Sequence, residues 1–99
     1  MIIAELAIFP ISEGTSVSKY VREALKALEK TGLKYESGAM STCIESPDLE
    51  SIFDAVEKAH DAIVKMGAKR IQIALSIDHR LDKDATMESK LKAIGKGKA

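Results

Sequence analysis

The 99-residue chain has no tryptophan, no asparagine, one cysteine, two prolines and four aromatic side chains. A single cysteine, Cys43, excludes an internal disulfide framework and an all-cysteine zinc site. Net formal charge is also missing, because 15 basic side chains balance 15 acidic ones. A broad basic surface for nucleic acid is therefore not favoured. The scarcity of aromatics argues the same way. RNA-recognition modules stack bases on strand aromatics, and Phe9 and Tyr35 are the only aromatics in strand-like segments here. No apolar stretch approaches the roughly 20 residues that cross a bilayer. The opening run Met1–Phe9 lacks a basic flank and is interrupted by Glu5, so no signal peptide is expected. These absences predict a cytoplasmic protein that binds neither membrane nor nucleic acid. Gly14 and Gly32 form no P-loop or dinucleotide fingerprint.

What is present is ordinary globular material, 45% apolar and 30% charged, which excludes disorder. The length predicts one small domain over residues 1–99, without a cleft between domains. Folding at this size buries roughly two-thirds of the unfolded chain's surface. One glutamine and many more lysines than arginines follow the compositional trend of hyperthermophiles.

The hydrophobic pattern divides the chain into seven elements. Ile2–Pro10 reads as a central strand with two apolar faces, Ile2, Ala4, Leu6 and Ile8 on one and Ile3, Glu5, Ala7 and Phe9 on the other. Ser12–Thr15 is a loop. Val17, Val21, Ala24, Leu25 and Leu28 share a helical face, with Ser16 as N-cap and Gly32 just past the end. Lys34–Ser37 and Met40–Glu45 form a hairpin around Gly38-Ala39. Asp48–Met66 is the clearest amphipathic helix, closed by Gly67. Arg70–Asp78 alternates as a strand, and the charged loop His79–Ala85 leads to a last helix over Thr86–Ile94 and a fraying GKGKA end.

The order β-α-β-β-α-β plus a terminal helix is the split-βαβ, ferredoxin-like α+β pattern with an antiparallel sheet. Right-handed crossovers put both long helices on one sheet face. Ile71, Ile73, Leu75 and Ile77 are the more apolar set and belong under the helices. Gln72, Ala74, Ser76 and Asp78 then join Ile3, Glu5, Ala7 and Phe9 on the open face. Ile3 and Phe9 there suggest burial by a second subunit.

Few residues offer chemistry. Glu5 lies inside an apolar strand, so it is paired, exposed or protonated. It reads either as an acceptor for a cationic ligand or as one half of an intersubunit salt bridge. Ser12 adds a loop hydroxyl to the ligand reading. Thr42 and Glu45 end the third strand, where they either bind a polar ring or cap the helix that follows. Their opposite parity lets them share a site only through a bulge or the loop beyond. A Cys43–His60 dyad would need an electropositive setting and a nearby base. The loop Asp78–Asp84 fits no EF-hand register; Arg80 there is either self-paired or holds a phosphate. No paired acid and base support an enzyme.

Several segments, taken in order, resemble a known family. They are the strand ending at Pro10, the serine-bearing loop, Tyr20-Val21, Tyr35-Glu36-Ser37-Gly38, Thr42-Cys43-Ile44-Glu45, the helix with His60, and Ile77-Asp78-His79-Arg80. Together they resemble the thiamine-binding protein family, also grouped as UPF0045. The resemblance implies a ferredoxin-like subunit, a homodimer built through sheets and commonly a homotetramer. It implies binding of thiamine or its hydroxymethyl pyrimidine moiety, with no established reaction and no cofactor. Thr42 and Glu45 are the ligand positions it carries over. Glu5 and Ser12 come from the residues alone. Ser46 stands where some members have glycine. No residue is assigned to catalysis or to a metal. The other reading is an oligomeric regulatory or interaction module without a thiamine pocket, assembled through the open sheet face.

Overall fold

Residues 1–95 are described by a computed structural model. The elements are β1 (Ile2–Pro10), α1 (Ser18–Lys30), β2 (Lys34–Ser37), β3 (Thr42–Ser46), α2 (Leu49–Lys65), β4 (Ile71–His79) and α3 (Met87–Ala93). The four strands form one antiparallel sheet in the order β2-β3-β1-β4. This is the ferredoxin-like α+β arrangement with an additional C-terminal helix. Residues 96–99, in the tail expected to fray, lie outside the described residues.

Strand parity sets the core. Ile2, Ala4, Leu6 and Ile8 point under the helices and are all buried. They meet Tyr20, Ala24 and Leu28 of α1 and Ile52, Ala55, Ala59 and Ile63 of α2, with Ile44 of β3 between. Each fully buried Ile or Leu contributes about 1.5–3 kcal/mol. Alanines at positions 24, 55 and 59 keep the contact surfaces of both helices small, so the backbones lie close to the sheet.

Helix ends follow local chemistry. The Asp48 side chain accepts the Ser51 N–H at 2.7 Å, which lowers its pKa. Thr86 and Ser89 form a reciprocal capping box on α3. Gly32 and Gly67 leave α1 and α2 at φ 77° and 90°, where a Cβ would strain the backbone. The expected Ser16 cap does not form. α1 begins at Ser18, and Val17 precedes it without a side-chain cap. A hydroxyl two residues before the first helical residue is displaced from the capping position. The Val17 carbonyl instead takes the Tyr20 and Val21 N–H groups at 3.0 and 3.2 Å. Tyr20, outside the expected apolar stripe, is buried, and its hydroxyl donates to Glu13 at 3.1 Å.

Two placements differ from the simple pattern. The β4 residues Ile71, Ile73, Leu75 and Ile77 do face the helix side, opposite Pro10, Ile8, Leu6 and Ala4. Yet Ile73 and Ile77 remain 42% and 38% exposed, because β4 is an edge strand beyond the helices' cover. The open face, in turn, is partly covered from within the chain. α3 lies over its Ile3 end, tied to Glu45 through the Met87 N–H and to Asp78 through Lys90.

Candidate functional site

The β1–β3 ladder runs from Ile2–Ser46 to Leu6–Thr42 and stops, while β1 continues to Pro10. A notch opens beside residues 7–10. The Ile11 N–H donates to the Arg70 carbonyl at 2.9 Å, so odd-numbered β1 residues turn their backbone groups toward β4. Even-numbered ones turn toward β3. Ile8, past the end of that ladder, therefore aims its N–H and C=O side by side into the notch. Pro10, the next even position, has no N–H to leave unpaired.

The other walls come from α1 and the β2–β3 tip. The tip closes through the Gly38 N–H to the Ser41 carbonyl at 2.8 Å. A Cβ on Gly38 would stand 3.1 Å from that carbonyl oxygen, a contact tight enough to favour glycine. The resulting cavity holds about 440 Å³. Its walls include Phe9, Val17, Val21, Leu25 and Met40. The polar exceptions are the hydroxyls of Ser37 and Thr42, 3.3 Å apart, and that of Ser41. Apolar walls with a few convergent polar groups are the usual composition of a small-molecule site.

A second cavity of about 420 Å³ lies on the opposite sheet face beneath α3, lined by Ile3, Glu36, Cys43, Met87, Lys90 and Leu91. Ser37, Gly38 and Ser41 border both cavities. The Ser41 hydroxyl donates to Glu5 at 2.9 Å. Burial, followed by the charges of Glu5 and Glu36, pushes the Cys43 thiol up. Lys90 is engaged by Asp78.

The sheet separates the sequence-derived site residues. Thr42 sits in the notch, on the helix side. Glu5 and Glu45 lie on the open face, opposite Cys43 and Ile3 in the ladder. The β1–β3 register is continuous, so Thr42 and Glu45 do not converge. Glu45 is 6% exposed and accepts the Met87 N–H at 2.7 Å. Ser12 lies past the far end of β1. Its oxygen accepts the Lys69 and Arg70 N–H groups at 3.2 and 3.1 Å and donates to Glu13 at 2.6 Å. Those hydroxyl bonds from Ser12 and Tyr20 hold the Glu13 carboxyl below its ordinary range. His60 is on α2, beneath the helix-side face, and Cys43 is on the open face, so no dyad forms. Arg80 is held by Asp82 through two hydrogen bonds.

Sequence reasoning did not assign Ser37, Met40 or the Ile8 backbone to a site. The Gly38-Ala39 turn marked the hairpin tip. Only the unequal strand lengths, nine residues in β1 against five in β3, could have revealed the gap.

Residues 4–95 match the family model described as "Thiamine-binding protein". UPF0045 protein MJ1052 of Methanocaldococcus jannaschii is 44% identical over 94 residues, covering 95% of this chain and 92% of the relative. A UPF0045 protein of Methanothermobacter thermautotrophicus is 38% identical over 95 residues, covering 95% and 96%. The crystal structure of MJ1052 superposes with a TM-score of 0.89 at 43% identity, over 96% of each chain. A Thermotoga maritima protein described as a candidate for thiamine biosynthesis or salvage superposes at 0.79 with 25% identity, over 94% and 97%.

Proposed function

The chain belongs to the thiamine-binding protein family, and from that premise we propose that it binds thiamine, or its hydroxymethyl pyrimidine moiety, in the notch between β1 and the hairpin. The observation that carries this reading is the backbone of Ile8 beyond the last β1–β3 pair. One extended residue there offers a donor beside an acceptor, as to a missing strand. An aminopyrimidine presents the complement, an amine beside a ring nitrogen. Val17, Val21 and Leu25 cover the ring, and the hydroxyls of Thr42 and Ser37 meet its remaining polar atoms. Glu5 lies on the open face, but its partner Ser41 borders both cavities, so it supplies negative charge for a thiazolium cation that reaches past the hairpin tip to that face. Glu45 and Ser12 act on the frame, one anchoring α3 and the other joining the first loop to β4.

We assign no catalytic step. The Cys43 thiol is pushed up, away from a nucleophilic thiolate, and the sheet separates it from His60. We place the protein in the cytoplasm, where its free thiol stays reduced, and take it to work as a homo-oligomer.

The test is calorimetric titration with thiamine and, in parallel, with the hydroxymethyl pyrimidine. Saturable binding near one ligand per chain is expected. Thr42→Val should weaken both ligands by about tenfold, the loss of one hydrogen bond of roughly 1.4 kcal/mol. Glu5→Gln should weaken thiamine more than the neutral pyrimidine. Full affinity in a folded Thr42→Val protein would remove the notch from the site. No binding by wild type would leave the interaction-module reading.

A further inference from the structure

We propose that Met40 is an oxidation site that governs the notch: its thioether settles on a bound ring, and a hydroperoxide that converts it to the sulfoxide weakens that hold. The proposal rests on the notch reading above and adds a modifiable residue to it.

Met40 combines two properties that rarely meet in one apolar side chain. It stands 90% exposed, although full burial of a methionine is worth about 1.5–3 kcal/mol. It also borders the notch, in company with Val17, Val21 and Leu25 of α1. An apolar side chain left in water at the lip of an apolar cavity gains cover when a ring enters. The tip that carries it is short. The Gly38 N–H donates to the Ser41 carbonyl at 2.8 Å, with only Ala39 and Met40 between. The backbone of Met40 is thus held beside the notch, while its unbranched side chain can rotate onto an incoming ring. Sulfur beside an aromatic ring is a favourable contact, and an aminopyrimidine is such a ring.

The same exposure opens the sulfur to oxidants. A sulfur lone pair attacks one oxygen of hydrogen peroxide and the O–O bond breaks. That oxygen stays on sulfur as the sulfoxide, and the other leaves as water with both protons. Sulfur is oxidised and the peroxide reduced by the same electron pair. The product is polar and chiral, and its oxygen favours water over an apolar lip. Met40 is not part of the core, so the consequence falls on binding and not on folding.

The remaining sulfur atoms are less available or elsewhere. Met87 is 6% exposed, and Met66 packs against the core. Met1 is 38% exposed and borders neither the notch nor the open-face cavity. Cys43 lies in the open-face cavity, where burial and the charges of Glu5 and Glu36 disfavour the reactive thiolate.

Brief hydrogen peroxide treatment, stopped with catalase and read by peptide mass spectrometry, gives the order of oxidation. Met40 should react faster than Met1, Met66 and Met87. Saturating hydroxymethyl pyrimidine, which has no sulfur of its own, should slow Met40 and leave Met1 unchanged. Calorimetric titration of the Met40-oxidised protein should show affinity for that pyrimidine weakened by about fivefold, the size of one sulfur–aromatic contact, at an unchanged Tm. Methionine sulfoxide reductases acting on both epimers should restore it. Met40→Leu, compared with its own untreated affinity, should not respond to peroxide. No binding by untreated wild type would overturn the notch reading and this proposal together. Binding that survives Met40 oxidation would overturn this proposal alone. So would a Met40 that reacts no faster than Met1, a bound pyrimidine that gives no protection, or an equal peroxide response in Met40→Leu.

Discussion

Ile8 and Ile73 are cross-strand partners on one sheet face, yet Ile8 is 8% exposed and Ile73 42%. Ala4 and Ile77 repeat the contrast at 1% and 38%. The two strands share length, alternation and side-chain chemistry. They differ in position, because β1 runs under both helices and β4 runs beside them. An apolar alternation thus reports which face of a strand is apolar, and the neighbours decide whether anything covers it.

The strongest way to break this comparison is a paired truncation. Leu6 and Leu75 face each other across the ladder. Leu6→Ala should cost about 2–5 kcal/mol in urea unfolding. Leu75→Ala should cost less, because its side chain is only partly buried. Equal costs would mean that β4 is covered as fully as β1.

A smaller effect concerns the open face, where α3 supplies the cover. Glu45→Ala leaves the buried Met87 N–H without its acceptor and should cost about 1–3 kcal/mol. Proteolysis should then cut first near residues 84–90. Unchanged cleavage would show that α3 is held by Lys90 and Asp78 instead.

The smallest effect is electrostatic. The raised Cys43 pKa means less thiolate at any given pH, so alkylation should follow a pH profile shifted upward from a free thiol's. Glu36→Gln removes one of the charges that raise it and should move the profile partway back. A profile that stays in place would leave burial and the charge of Glu5 as the causes.

Much of this was legible from residues alone. The Leu49–Val64 stripe, the alternation of β4, the Asp48 cap and Gly67 define their elements by local rules. The opposite parity of Thr42 and Glu45 already placed them on different faces unless a bulge intervened, and the ladder has none. Other roles were hidden. Glu45 gave no sign that it would anchor a helix 42 residues later, because that bond needs α3 folded back across the sheet. Ser16 looked like a cap, but backbone bonds at Val17 started the helix later. The notch is invisible in composition, since its central donor and acceptor belong to the backbone of Ile8.

The sequence by itself determined the element order, the faces of each strand and the ferredoxin-like class, since periodicity, caps and turns act over a few residues. Only the tertiary structure decided which strand lies at the edge, where the β1–β3 ladder stops and what α3 covers. Those outcomes depend on contacts between segments far apart in the chain, and no local pattern encodes the distance between them.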